Sequence, residues 1–160
     1  MTTRVHAPLT GKVVELSRIP DPVFSQAMVG PGCAIDPTVA AGATARSPVD
    51  GTVASLHPHA FVVVTADGTG ILVHLGLDTV ELDGAGFERH VREGDAVAAG
   101  QPVVTWNPGD VRRSGRSAVS PVIALDTDPA TVNLAGTVAD YVLAGEALFV
   151  TTTPSKELAG

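Results

Sequence analysis

The sequence predicts an all-β chain: an antiparallel β-sandwich or barrel-like fold with short helical turns. Three observations point there. Valine and threonine dominate, and no stretch carries a long helical period. Gly 17 and Pro 12 among 160 residues punctuate the chain with turns. An Asp-Gly pair, Asp67-Gly68, separates two apolar β-type runs, FVVVT and ILVHLGL, and that arrangement is a strong hairpin signal. Hydrophobic residues at 44% against 17% charged supply one core without special staples, and a chain of this length buries roughly 70% of its unfolded surface. We read one domain over residues 1–150 and a flexible tail over 151–160.

In chain order, Ala7-Pro8-Leu9-Thr10-Gly11-Lys12-Val13 echoes Ser47-Pro48-Val49-Asp50-Gly51-Thr52-Val53, and Val39-Ala40-Ala41-Gly42 echoes Val97-Ala98-Ala99-Gly100. These echoes predict short strands joined by glycine turns and a duplicated motif inside one domain. They are too few and irregular for a solenoid. Arg18 to Phe24, with Pro20 and Pro22 flanking Asp21, predicts a surface loop, and Ser25 to Val29 one helical turn. The hairpin follows. Glu88 to Gln101 has the V-x-x-G-D-x-V-x-x-G-Q form of a tight hammerhead-like turn, with His90 on its surface. Pro108 after Asn107 predicts a helix start, which Gly109 and Gly115 keep short. Arg112, Arg113 and Arg116 form a basic cluster on a solvated loop. Ser120 to Leu125 returns as a strand, and Gly136 to Val150 supplies the last strands with a turn at Gly145.

The hairpin carries the chemistry. With Asp67 and Gly68 as the two central turn residues, Phe61 faces His74 and His59 faces Gly76. Alternation then puts His59, Phe61, Leu72 and His74 on one face. The two histidines become diagonal neighbours, with Cβ atoms roughly 7 Å apart. A longer loop shifts the register by one and separates them. Two neutral imidazoles side by side suit three roles. One ring attacks phosphorus while the other donates to the phosphoryl oxygens; or both ligate a metal such as zinc; or both are partly buried rings with satisfied nitrogens. Burying two ionisable rings is costly without a reason, which favours a functional role.

The net charge of -7 argues against nucleic acid, which needs a basic face, and suits docking to a basic patch on a protein. Cys33 is the one cysteine, so no intrachain disulfide forms, and it reads as a small buried hydrophobe. The N-terminus shows no signal-peptide hydrophobic region. No run approaches the roughly 20 apolar residues that span a bilayer. The expected location is cytoplasmic, with no membrane insertion.

At ILVHLGLDTVELDGAGF and at the preceding HAF, the chain resembles the glucose-type IIA component of the bacterial phosphoenolpyruvate-dependent sugar phosphotransferase system. APLTGKVV, PDPVFSQAMVGPGCAIDP and SPVDGTV extend the likeness from about Ala7 to about Val150. The resemblance implies a phosphoryl carrier. His74 is its acceptor, through the tele nitrogen, and His59 stabilises the phosphoryl group. It implies that phosphate arrives from the phosphocarrier protein HPr and leaves to the IIB domain of a IIB/IIC sugar permease, of glucose or N-acetylglucosamine type, where the sugar is chosen. It implies a docking rim of Val23, Phe24, Met28, Val29 and Leu75, with Asp21 and Asp78 meeting basic residues on partners. For both acids the alternative is turn capping. No cofactor is required, and any metal held by His59 and His74 is incidental. Two departures stand out. The family has a threonine just ahead of its first histidine, in a slightly longer loop; here the loop is Ser55-Leu56-His57-Pro58, with Ser55, His57 or nothing in place of that hydroxyl, and Leu75 stands where phenylalanine is common.

Other readings weigh against this one. A zinc hydrolase resembling lysostaphin-type peptidases would take His57, His59 and His74 as ligands, with Asp78 nearby, although His57-Pro58-His59 is not that family's motif. A biotinyl- or lipoyl-type carrier needs a lysine at an exposed hairpin tip, and the lysines, Lys12 and Lys156, sit elsewhere. A purely regulatory module acting on transporters or metabolic enzymes is compatible with the carrier role.

Overall fold

The structure, a computed structural model, describes residues 2–26, 28–37, 43–128, 132–133 and 141–152. Strands β1 (Thr2–His6) and β2 (Gly11–Glu15) open the chain, followed by a 3-10 turn at Leu16–Arg18 and helix α1 (Pro22–Ser25). Next come β3 (Gly32–Pro37), β4 (Ala43–Arg46), β5 (Gly51–His57), β6 (Ala60–Val64) and β7 (Gly70–His74). A 3-10 turn at Thr79–Leu82 leads to β8 (Glu88–Arg89), β9 (Ala96–Val97), β10 (Pro102–Trp106), helix α2 (Pro108–Arg113) and β11 (Ser120–Ala124). Strands β12 (Val132–Asn133), β13 (Tyr141–Val142) and β14 (Ala147–Thr152) complete it. The fold is the expected antiparallel β-sandwich. An eight-stranded sheet runs β13-β2-β3-β11-β7-β6-β5-β9, and two three-stranded sheets run β1-β14-β12 and β4-β10-β8.

The duplication is written in hydrogen bonds. His6 N donates to Pro48 O at 2.8 Å, and Arg46 N to Pro8 O at 3.0 Å. Ala144 N donates to Thr10 Oγ1 at 2.9 Å, and Ala99 N to Asp50 Oδ1 at 2.7 Å. The same contacts thus recur with the halves exchanged, and the sheet order reads alike from both ends. The echo of Ala7–Val13 in Ser47–Val53 is therefore structural. Among the described residues the counterpart of Val97–Gly100 is Val142–Gly145, which the sequence reading did not pair; residues 39–42 lie outside the described set.

The halves differ where function enters. Strands β5 and β6 are joined by the short turn Pro58-His59, whereas β2 and β3 are joined by the segment carrying α1. The helical turn starts at Pro22, earlier than Ser25–Val29. Asp21 Oδ1 accepts the Val23 N–H at 3.0 Å, and Pro22 needs no donor at the first helical position. This segment lies on the outer face of the large sheet. Leu16, Ile19 and Phe24 pack there against Ala34, Leu77 and Ile123. The inner face is the main core, where Ile35, Phe61, Val63, Ile71, Val73 and Val122 are all 0% exposed. They pack with Val5, Val104, Trp106, Leu148 and Phe149 of the two smaller sheets, and burying each such side chain contributes about 1.5–3 kcal/mol.

The hairpin register differs from the expected one by a residue. Ala60 faces His74, Phe61 faces Val73 and Val62 faces Leu72. Local hydrogen bonds widen the turn. Thr65 O accepts the Gly68 N–H at 3.0 Å, Thr65 N donates to Thr69 O at 2.9 Å, and the Thr65 hydroxyl accepts the Thr69 N–H at 3.1 Å. Phe61 therefore faces the core rather than sharing a face with His74.

Other expectations change too. Arg112 and Arg113 end α2 instead of lying on a loop, and Arg112, Arg113 and Arg116 pair with Asp36, Asp110 and Glu81. Thr151 and Thr152 belong to β14 and face Thr3 and Thr2, so the tail does not begin at 151; residues 153–160 lie outside the described set. Cys33 is 1% exposed, and burial pushes its thiol up to about 12, which removes thiolate chemistry. Among the described residues no helix is long and apolar enough to cross a membrane.

Candidate functional site

His74 ends β7 on the outer face, with its side chain turned toward the α1 segment. Its ring centroid lies 5.4 Å from that of Phe24, with the planes at 59°. The His59 ring stands 5.2 Å away, edge-on at 70°. The pair meets despite the shifted register, because His59 is a turn residue. Strict alternation would put it on the other face of the sheet from His74, but the Pro58-His59 turn leaves the pleat while Leu75 N still donates to His59 O at 2.7 Å. The chain reversal carries the ring over to His74.

His74 Nδ1 lies 2.6 Å from Gly76 O. A carbonyl only accepts, so Nδ1 carries the hydrogen and the lone pair of the neutral ring sits on Nε2. Burial pulls the His74 pKa below the ordinary 6.5, and the Gly76 hydrogen bond, Asp21 and Asp78 oppose that pull without cancelling it. His59 is also lowered, first by burial and then by His74 and His57. Near neutral pH both rings are therefore uncharged, and each neutral imidazole offers one lone pair and one N–H.

The remaining predicted residues divide. Met28 is 67% and Val23 43% exposed, Phe24 is buried at 7%, and Val29 is half-buried against the outer cluster. These four border His74 or its covering segment. Leu75 does not join them: at 0% exposure it belongs to the main core. It continues the inward set Ile71, Val73, Leu75, and a partner protein cannot touch it. Asp21 caps α1 and also acts on His74. Asp78 takes a left-handed φ of 58° and makes no side-chain cap, which leaves its exposed carboxylate to act on His74.

His57 precedes His59 by two residues, with the rings 5.9 Å apart. Yet among the described residues no three His, Cys, Asp or Glu side chains converge to hold a metal ion. The donor set of the hydrolase reading is not assembled. Sequence reasoning missed four residues here. Gly76 supplies the carbonyl that fixes the His74 tautomer, Ser120 and Thr79 hold that loop, and Val80, 59% exposed, lies on the 3-10 turn just past Asp78. A valine left between two acids after a strand was the one available signal.

The family model described as phosphoenolpyruvate-dependent sugar phosphotransferase system, EIIA 1, matches residues 3–130. The chain is 42% identical over 140 residues to a PTS system glucose-specific EIIA component of Bacillus cereus, covering 83% of each chain. A Staphylococcus aureus protein of the same description is 44% identical over 128 residues, 79% of this chain and 75% of the relative. Among solved structures, glucose permease IIA from Mycoplasma capricolum superposes with a TM-score of 0.81 at 33% identity, covering 94% of this chain and 96% of that one.

Proposed function

Because the chain belongs to the EIIA 1 family of the phosphoenolpyruvate-dependent sugar phosphotransferase system, we propose that it is a phosphoryl carrier in sugar uptake whose acceptor is Nε2 of His74. One observation carries the residue assignment: His74 Nδ1 is committed to the Gly76 carbonyl while the His59 ring stands 5.2 Å away. The donor is a phosphohistidine on HPr. The Nε2 lone pair attacks phosphorus in line, the new N–P bond forms as the donor's N–P bond breaks, and the electron pair returns to the donor ring. The transition state is loose and its charge lies on the equatorial oxygens, so the protein positions and stabilises. His59, neutral and carrying one N–H, donates to one of those oxygens.

The onward acceptor is the IIB domain of a sugar permease, of glucose or N-acetylglucosamine type. The rim of Val23, Phe24, Met28 and Val29, extended by Val80, receives both partners in turn. Asp21 and Asp78 meet their basic residues. The apolar rim also excludes water and slows hydrolysis of the phosphoramidate. The reaction runs without a cofactor, and the setting is cytoplasmic.

Incubation with phosphoenolpyruvate, the general phosphotransferase enzymes and HPr is expected to give an acid-labile, base-stable label. His74→Gln abolishes it, whereas His59→Gln still takes the label and passes it on slowly. Labelling of His59 in the His74→Gln protein would overturn the roles.

A further inference from the structure

Two buried hydroxyls grip the peptide that precedes the tautomer-fixing carbonyl. Gly76 N donates to Ser120 Oγ at 3.2 Å, and the Ser120 hydroxyl donates onward to Ala118 O at 3.0 Å. At the other end of the same peptide unit, Leu75 O accepts from Thr79 Oγ1 at 2.7 Å. The next unit is held the same way: Leu77 N donates to Ser117 O at 2.9 Å, and Gly76 O meets His74 Nδ1 at 2.6 Å. All four polar ends of two consecutive peptides are therefore partnered, and one of those partners is the ring that does the chemistry.

Ser120 and Thr79 are both 0% exposed. Ser120 begins a strand whose other members, Pro121, Val122, Ile123 and Ala124, are buried and carry no side-chain polar group. A hydroxyl in such a place is costly to bury unless its hydrogen bonds are made, and here they are. Gly76 sits between the two peptides at φ +80°, so the direction of its carbonyl follows from how the preceding peptide is held.

We propose that Ser120 and Thr79 are positioning residues of the phosphoryl acceptor. They lock the Leu75–Gly76 peptide, aim the Gly76 carbonyl at His74 Nδ1, and so keep the ring in the single tautomer whose lone pair is on Nε2. The proposal rests on the carrier reading for its kinetic consequence but not for its structural one. A purely structural hydroxyl satisfies the same peptide and leaves the ring's tautomer unaffected by its loss.

The test is ring nitrogen-15 NMR of His74 together with transfer kinetics from phospho-HPr. In the parent protein His74 is expected as one Nδ1–H tautomer. In Ser120→Ala and in the near-isosteric Thr79→Val, a mixture of tautomers is expected. The kcat for transfer falls about 10- to 100-fold, as for other partners that orient a working imidazole, with KM for phospho-HPr unchanged. Ser120→Thr and Thr79→Ser restore both readouts. A folded Thr79→Val or Ser120→Ala protein with a single Nδ1–H tautomer and the parent kcat would overturn the proposal. If the parent protein itself takes no phosphate, the carrier reading fails, and the tautomer measurement alone still decides the positioning role.

Discussion

Gly76→Ala isolates the loop on which the acceptor depends. Gly76 has φ +80°, and a Cβ there would lie 2.7 Å from Thr79 Cγ2 and 2.8 Å from Ser117 O. The left-handed backbone costs an L-residue about 1–2 kcal/mol, and forcing a methyl against a buried backbone oxygen adds about 1–3 kcal/mol. Taking about 3 kcal/mol together, and about 2–4 °C per kcal/mol for a domain of this size, Tm should fall by about 6–12 °C. The contact at Ser117 is with backbone, which cannot swing aside, so the loop itself must move. The Gly76 carbonyl then leaves His74 Nδ1, and the nucleophilic tautomer is no longer enforced. Calorimetry gives the stability change; phosphoryl transfer from phospho-HPr, assayed well below the variant's Tm, gives the functional one, an expected loss of about 10- to 100-fold. An alanine variant with parental Tm and parental transfer rate would refute both the strained turn and the role given to its carbonyl.

Other consequences can be checked together. Because burial lowers both active-site imidazoles below 6.5, the unfolded chain binds their protons first as the pH falls. Folding stability is then full above about pH 6.5 and declines as the pH drops through the folded values; urea titrations at several pH values should show a shallower decline in the His59→Gln, His74→Gln double variant. Phe24→Ala opens the ring to water, so the His74 pKa should rise toward 6.5 and the acid limb of transfer should move to higher pH; an NMR titration in which it stays put contradicts burial as the leading cause. Met28, at 67% exposure, should tolerate Met28→Asp with a stability change within about 0.5 kcal/mol. KM for phospho-HPr should nevertheless rise with little change in kcat, and an unaltered KM removes Met28 from the docking rim.

Much of the site was legible because its determinants are local. The Asp67-Gly68 signal located the hairpin, and the Ala7–Val13 echo of Ser47–Val53 announced the duplication. The register was not legible, because the Thr65 hydroxyl binds Thr69 N at 3.1 Å and widens the turn beyond two residues. The histidine pair survived that slip because the Pro58-His59 turn, not the pleat, aims the His59 ring. Leu75 is the opposite case: alternation from Ile71 and Val73 already placed it inward, and the family pattern pulled it wrongly to the surface. Ser120 lies 44 residues from the peptide it holds, and no periodicity links positions so far apart. The α1 cap was readable in Asp21-Pro22, yet Phe24 reaching the His74 ring at 5.4 Å depends on how a whole segment folds onto the sheet.

If Nε2 of one histidine takes the phosphate, phosphorus-31 and nitrogen-15 NMR of the phosphorylated protein will show where the N–P bond lies. One phosphohistidine is expected, bonded through Nε2 of His74, with Nδ1 still protonated against Gly76 O. Phosphate on Nδ1 of His74, or on His59, would contradict it.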